Sequence, residues 1–295
     1  MNAKKKRKFV YKNKKSMIEI YKYYDKAMDS LNIDYKEKYI HTSFGKTHII
    51  IAGDESKPPL FTLHGGNGIT PLNLKLFSPL FDSFCIIAPD VIGMPGKSEP
   101  YRNLDTRKDD YGHWISEILD KLGIGRISFI ISSYSSAMLL SLAKTAPKRI
   151  DKAVFAVPSG IAHGDILPII YKTAVPFLKY YYKPSEKTLE GITSVMSSQN
   201  DILWDEFFKL MMSGYKMEMR PPKEFKKSEL KNFSSKVIVF ASDEDIFFPA
   251  YKVFPKAKKL FRNKPLTYRI KGKHLPSEST MLNVCNIIKH FLLVS

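Results

Sequence analysis

The stretch that most constrains this chain is Arg126–Pro147, RISFIISSYSSAMLLSLAKTAP. Its opening residues, Arg126–Ile131, carry Ile127, Phe129, Ile130 and Ile131, an apolar run of strand length in which β-branched residues are well represented. From Tyr134 to Lys144, Ala137, Leu140 and Lys144 fall one to two helical turns apart. Only Ser-Ser-Tyr-Ser-Ser joins the two segments, which leaves no room for a loop. A buried strand that turns directly into a helix across a serine lifts one hydroxyl off the end of a sheet. It also aims the first N–H groups of the helix at whatever that hydroxyl attacks. The remainder of the chain can then be searched for an acid, a histidine and a second N–H donor.

The 295 residues, 44% of them hydrophobic, suffice for one large α/β domain with residues left over for an insertion. Cys85 and Cys285 both sit in apolar surroundings and read as buried free thiols of a reducing, cytoplasmic compartment. The net charge of +18 comes mostly from lysines spread along the whole chain. No nucleic-acid-binding motif accompanies them, so they read as a solvated surface rather than a nucleic-acid footprint. The exception is Lys4–Lys8 with Lys12, Lys14 and Lys15, ahead of Ser16–Leu31, where Met17, Ile20, Tyr21, Tyr24, Ala27, Met28 and Leu31 recur at helical spacing. Such a basic arm is a candidate for weak contact with an anionic membrane surface. The reading preferred here is a disordered basic tail followed by a helix packed on the domain. No apolar segment follows the basic block, which argues against a secretory signal.

Further segments alternate in the manner of a parallel sheet covered on both faces. Tyr39–Ser43 and His48–Ala52 read as a hairpin turning at Phe44-Gly45-Lys46. Strands are expected at Pro59–Leu63, Phe84–Ala88, Lys152–Val157, Val237–Ala241 and Leu266–Ile270, and helices at Asp109–Leu122 and Glu278–Leu293. From Ser159 to about Ser234, prolines, aromatics and methionines replace the strand pattern. Ile161–Tyr182 is apolar but is broken by His163, Asp165, Lys172, Lys179 and two prolines, so it reads as amphipathic helix rather than a membrane span. The expected organisation is a basic arm and amphipathic helix over 1–38, an α/β core over 39–158 and 235–295, and a helical cap over 159–234.

In an open parallel sheet, ligands bind beyond the carboxyl ends of the strands. The polar residues at those ends are His64-Gly65-Gly66, Asp90 with the glycines after it, Ser132–Ser136, Asp243-Glu244-Asp245, and Lys273-His274. In chain order they supply a serine, an acid and then a histidine. His274 is one of seven histidines and stands alone in a loop just after a C-terminal strand. His113 and His290 fall on expected helices and read as packing or surface residues. No His/Cys/Asp cluster has metal-ligand spacing, and both a P-loop and a dinucleotide fingerprint are absent, so no cofactor is expected.

From about Tyr39 onward the chain resembles the α/β-hydrolase superfamily, and its esterase- and haloperoxidase-like members in particular. HGGNG is similar to the family's oxyanion loop, DVIGMPGKS to its DxxGxPGxS loop, ASDEDIFFP to its acid-bearing segment and GKHLPSE to its histidine loop. The resemblance implies an α/β-hydrolase fold: a mostly parallel sheet flanked by helices, with a helical cap insertion. It implies Ser133 as nucleophile, Asp245 as the acid and His274 as the base. The Gly66 and Tyr134 backbone N–H groups become the oxyanion donors, and His64, Asp90, Gly93 and Gly96 become structural. Ser135 remains a second candidate nucleophile, and Asp243 and Glu244 remain rival acids on the same loop. The function implied is hydrolysis of a small ester-type substrate through an acyl-enzyme. A serine at the nucleophile position argues against dehalogenase and epoxide-hydrolase chemistry. Ile131, Ser135 and Ser242 stand where the family carries glycine. These departures motivate the rival reading, a non-catalytic binding protein on the same scaffold.

Overall fold

Along a strand, successive side chains leave opposite faces, and the apolar residues here divide accordingly. Ile127, Phe129 and Ile131 enter one buried layer and Ile130 the other; Val237, Val239 and Ala241 separate from Ile238 and Phe240 in the same way. The computed structural model, which describes residues 8–199 and 201–294, assembles such segments into one eight-stranded sheet. Its strands are β1 (Tyr35–Thr42), β2 (Gly45–Ala52), β3 (Pro59–Leu63), β4 (Cys85–Pro89), β5 (Ile127–Ser132), β6 (Ile150–Ala156), β7 (Lys236–Ala241) and β8 (Leu266–Arg269). The spatial order is β8-β7-β6-β5-β3-β4-β2-β1. Strands β1, β2 and β4 pair antiparallel and every other neighbour is parallel.

Helices cover both faces. On one side α3 (Asp110–Lys121), α4 (Ser135–Thr145) and α8 (Ala250–Leu260) bury Trp114, Leu139 and Val253. On the other, α1 (Lys14–Asp29), α2 (Thr70–Leu76) and α9 (Glu278–Leu293) bury Tyr24, Leu72 and Cys285. Between β6 and β7 the chain makes α5 (Ile166–Tyr182), α6 (Glu186–Met196) and α7 (Ile202–Gly214). Of these, α7 packs on α1 and joins the second core layer through Phe207 and Met211.

Three local features differ from the sequence expectation. The hairpin is longer, with β1 starting at Tyr35 and a turn at Ser43-Phe44. Helix α8 forms with Pro255 in its interior, burying Ala250, Val253, Phe254, Ala257 and Leu260 at helical spacing, and the short α2 follows directly on the glycine loop. Lys4–Arg7 of the charge block lie outside the described residues, but the segment just after them is not a loose tail. Lys8-Phe9 pairs antiparallel with Tyr101-Arg102, and Val10 and Tyr11 are fully buried. The Tyr11 hydroxyl donates to the Gly96 carbonyl at 3.0 Å and accepts from the Gly96 N–H at 3.1 Å. Gly96 has φ +136°, and a Cβ there would lie 2.7 Å from the Asp90 carboxyl carbon, so this loop can fold over Asp90 only with glycine.

Candidate active site

Strand β5 ends at Ser132 and α4 begins at Ser135, so the turn consists of Ser133 and Tyr134. Ser133 has φ +54°, a left-handed conformation that costs a non-glycine residue about 1–2 kcal/mol. Its backbone is held by three hydrogen bonds: Ser133 N–H to the Ala156 carbonyl (3.0 Å), and the Ser136 and Ser159 N–H groups to the Ser133 carbonyl (3.0 and 3.1 Å). Fixed in this way, the side chain leaves the carboxyl end of the sheet. Val157, at the end of the neighbouring β6, also has a positive φ of 43°. Its side chain lines the same cavity as Ser133, and backbone strain of this kind gathers at functional sites.

His274 comes from the loop between β8 and α9. Its Nε2 lies 2.8 Å from Ser133 Oγ and its Nδ1 2.8 Å from Asp245 Oδ2. A carboxylate can only accept, so Nδ1 carries the proton and Nε2 is left to accept from the serine hydroxyl. Asp245 and His274 are both buried, and Asp245 Oδ1 also accepts the Phe247 N–H at 2.8 Å. The rings of Phe247 and Phe248 sit 5.2 and 5.6 Å from the imidazole and restrict its rotation.

The rival residues are engaged elsewhere. The Ser135 hydroxyl, fully buried, donates to the Ser132 and Leu63 carbonyls at 2.7 and 3.0 Å. Asp243 pairs with Arg269 and accepts the Tyr251 N–H, and Glu244 accepts the Gly272 N–H at 2.9 Å. His113 and His290 are exposed on α3 and α9. His64 is buried; it accepts the Val91 N–H at Nε2 (3.1 Å), so Nδ1–H donates to the Gly65 carbonyl (2.9 Å). Burial pushes its pKa down, keeping the ring neutral as a brace for the glycine loop.

Gly66 lies against the turn: a Cβ on it would be 2.9 Å from three atoms of the Tyr134 side chain. Among the described residues neither the Gly66 nor the Tyr134 N–H has an acceptor within the chain. The three non-glycine departures also find a physical account. Ile131 points into the core layer beneath α4, the Ser135 hydroxyl bonds back to the strand end, and the Ser242 hydroxyl accepts the Glu244 N–H at 3.1 Å to close the acid loop.

Sequence reasoning missed Asn67. It adopts φ +55°, and its side-chain amide makes a two-way bond with the Glu218 backbone: Nδ2–H to the carbonyl (3.0 Å) and Oδ1 from the N–H (2.7 Å). An asparagine inside a glycine-rich turn is the available signal, because asparagine tolerates the left-handed region and carries both a donor and an acceptor. A second tie joins α6 to the histidine loop, where Leu275 N–H donates to the Met196 carbonyl (2.7 Å) and Ser198 N–H to the Leu275 carbonyl (3.0 Å).

Ser133 and His274 open on a cavity of about 140 Å³. Phe177 of α5, Met196 of α6, and Trp204, Phe207, Phe208 and Met211 of α7 line it. Histidine is the sole ionisable residue type among the described residues that line it. Such a chamber favours an uncharged, apolar ligand beside the serine.

A sheet of this order, with a serine at the strand–helix turn after β5 and an acid and a histidine after β7 and β8, defines the class. Residues 58–225, more than half of the chain, match the family model for the alpha/beta hydrolase fold, and the chain belongs to that family. Among its relatives, carboxylesterase YbfK of Bacillus subtilis is 30% identical over 162 residues, 54% of this chain and 53% of that protein. An uncharacterized carboxylesterase, nap, of the same organism is 26% identical over 202 residues, 67% of this chain and 63% of that protein. The matched stretch thus spans between about half and two thirds of those relatives' length. The crystal structure of carboxylesterase CesB (YbfK) from Bacillus subtilis superposes with a TM-score of 0.79 at 21% identity, covering 95% of this chain and 99% of that one.

Proposed function

We propose that this protein is a carboxylesterase-like serine hydrolase of small, apolar acyl esters. The observation that carries the reading is the unbroken line from Ser133 Oγ through the His274 ring to Asp245, with 2.8 Å at each step. Ser133 attacks the ester carbonyl while His274 Nε2 takes its proton. Asp245 keeps the ring in the required tautomer and stabilises the imidazolium. The Gly66 and Tyr134 N–H groups receive the developing oxyanion. His274 returns the proton to the leaving alcohol, and water activated by the same ring then releases the acyl group from Ser133. The insertion over α5–α7 supplies the apolar wall against which the acyl chain lies.

A fluorophosphonate probe tests this directly. The folded protein should be labelled on Ser133, with labelling lost in Ser133→Ala and retained in Ser135→Ala. A folded wild-type chain that takes up no label would point instead to a binding protein on this scaffold. Gly66→Ala bears on the oxyanion donors. Its added methyl meets the Tyr134 side chain at 2.9 Å, so one of the two donors must move. We expect kcat to fall about 100-fold with KM little changed, the cost of losing one such donor. A kcat within a fewfold of wild type would remove Gly66 from the mechanism.

A further inference from the structure

Helix α5, ILPIIYKTAVPFLKYYY, runs for 17 residues without a single buried side chain. At 100° per residue, Leu167, Ile170, Tyr171, Leu178, Tyr181 and Tyr182 fall within an arc of roughly 120°. All six are more than half exposed, with Leu167 at 80% and Tyr182 at 81%. An exposed apolar face this large and continuous marks an interaction site. The helix contains no aspartate or glutamate, and Lys172 and Lys179 lie together along one edge of the arc. We infer that α5 is a docking helix for an anionic lipid surface, lying in the plane of the interface.

Three observations favour lipid as the occupant. Tyrosine, with an apolar ring and a polar tip, suits the depth of lipid headgroups, and three of the six exposed residues are tyrosines. Both lysines lie to one side of the apolar arc, and their long side chains can reach phosphate from there. The whole chain carries +18, so an anionic bilayer attracts it from a distance, whereas a second copy is repelled. At 17 residues, interrupted by two lysines and two prolines, α5 lies on the surface; no helix among the described residues is long and apolar enough to cross a membrane. Phe177, just past the Ile170 edge of the arc, lines the cavity beside Ser133. The docked face and the chamber wall are therefore adjoining faces of one element.

The test is cosedimentation of the full chain with phosphatidylcholine vesicles, with and without about one third phosphatidylglycerol. We expect binding to the mixed vesicles, weaker binding to pure phosphatidylcholine, and weakening by salt. Leu167→Asp with Leu178→Asp should lower vesicle affinity about tenfold or more while leaving hydrolysis of a water-soluble ester unchanged. Tyr182→Asp, an independent exposed change, should lower it in the same direction. Wild type that stays in solution, or variants that bind as well as wild type, would overturn the assignment. So would a dimer that the double variant disperses in the absence of any vesicle binding, since the face would then belong to a second copy.

Discussion

Ser133→Ala is expected to reduce kcat/KM for a short-chain aryl ester by about four orders of magnitude or more while the protein stays folded. The alanine fits the left-handed turn no worse than the serine, and the Ser133 backbone bonds to Ala156, Ser136 and Ser159 are unaffected. What disappears is the hydroxyl oxygen 2.8 Å from His274 Nε2. Any residual rate should come from the Gly66 and Tyr134 donors and the cavity, acting on water. Ser135→Ala is the matched control. Its hydroxyl bonds two main-chain carbonyls and faces no cavity, so its removal should cost on the order of 1 kcal/mol of stability and only a small part of the rate. A Ser135→Ala enzyme that is dead beside an active Ser133→Ala enzyme would transfer the nucleophile to position 135.

Asp90→Asn is expected to lower stability by about 3 to 5 kcal/mol, a fall in Tm on the order of 10 °C, with the reacting residues untouched. Asp90 is completely buried, and its carboxylate accepts from His48 Nδ1 (2.8 Å), the Tyr24 hydroxyl (3.1 Å), the Thr70 hydroxyl and the Lys97 N–H (2.8 Å). An amide keeps the shape but turns two hydrogens toward donors. Burial by itself would raise the Asp90 pKa. The hydrogen bonds from His48 and, to a smaller extent, Thr70 outweigh it and leave the group below the ordinary carboxylate value. A depressed folded-state pKa contributes stability that is complete above the unfolded value of about 4 and is lost as pH falls through the folded one. The gap in Tm between wild type and Asp90→Asn should therefore be constant from neutral pH down to about 5 and narrow on further acidification. A gap that widens there would mean that Asp90 is protonated in the native protein.

Much of the arrangement was legible before any coordinates. Strand segments such as Pro59–Leu63 and the unit from Ile127 to Thr145 are written in apolar runs and in the absence of a loop between them. The order of Ser133, Asp245 and His274 followed from where those strands end. Choosing Ser133 over Ser135, and Asp245 over Asp243 and Glu244, rested on alignment with a family pattern, because residues one or two positions apart share composition and differ only in direction. The structure separates them by what each side chain touches: a carbonyl for Ser135, Arg269 for Asp243, the Gly272 amide for Glu244. Helix α8 was hidden by Pro255, and the clamp of Tyr11 on Gly96 pairs residues 85 positions apart, which no local period records. Asn67 looked like one more turn residue because its partner, the Glu218 backbone, is 151 positions away.

That asparagine limits how the protein can be altered. Its amide grips main chain, so what it requires of residue 218 is a backbone conformation rather than a side chain. Together with the Leu275–Met196 bond, it ties the α5–α7 excursion, at its C-terminal border and at the end of α6, to loops that carry Gly66 and His274. Transplanting that excursion from a homologue to change chain-length preference would therefore have to preserve the two junction geometries. A graft that keeps Ser133, Asp245 and His274 but offers Asn67 no backbone partner would leave the loop that carries Gly66 without that anchor.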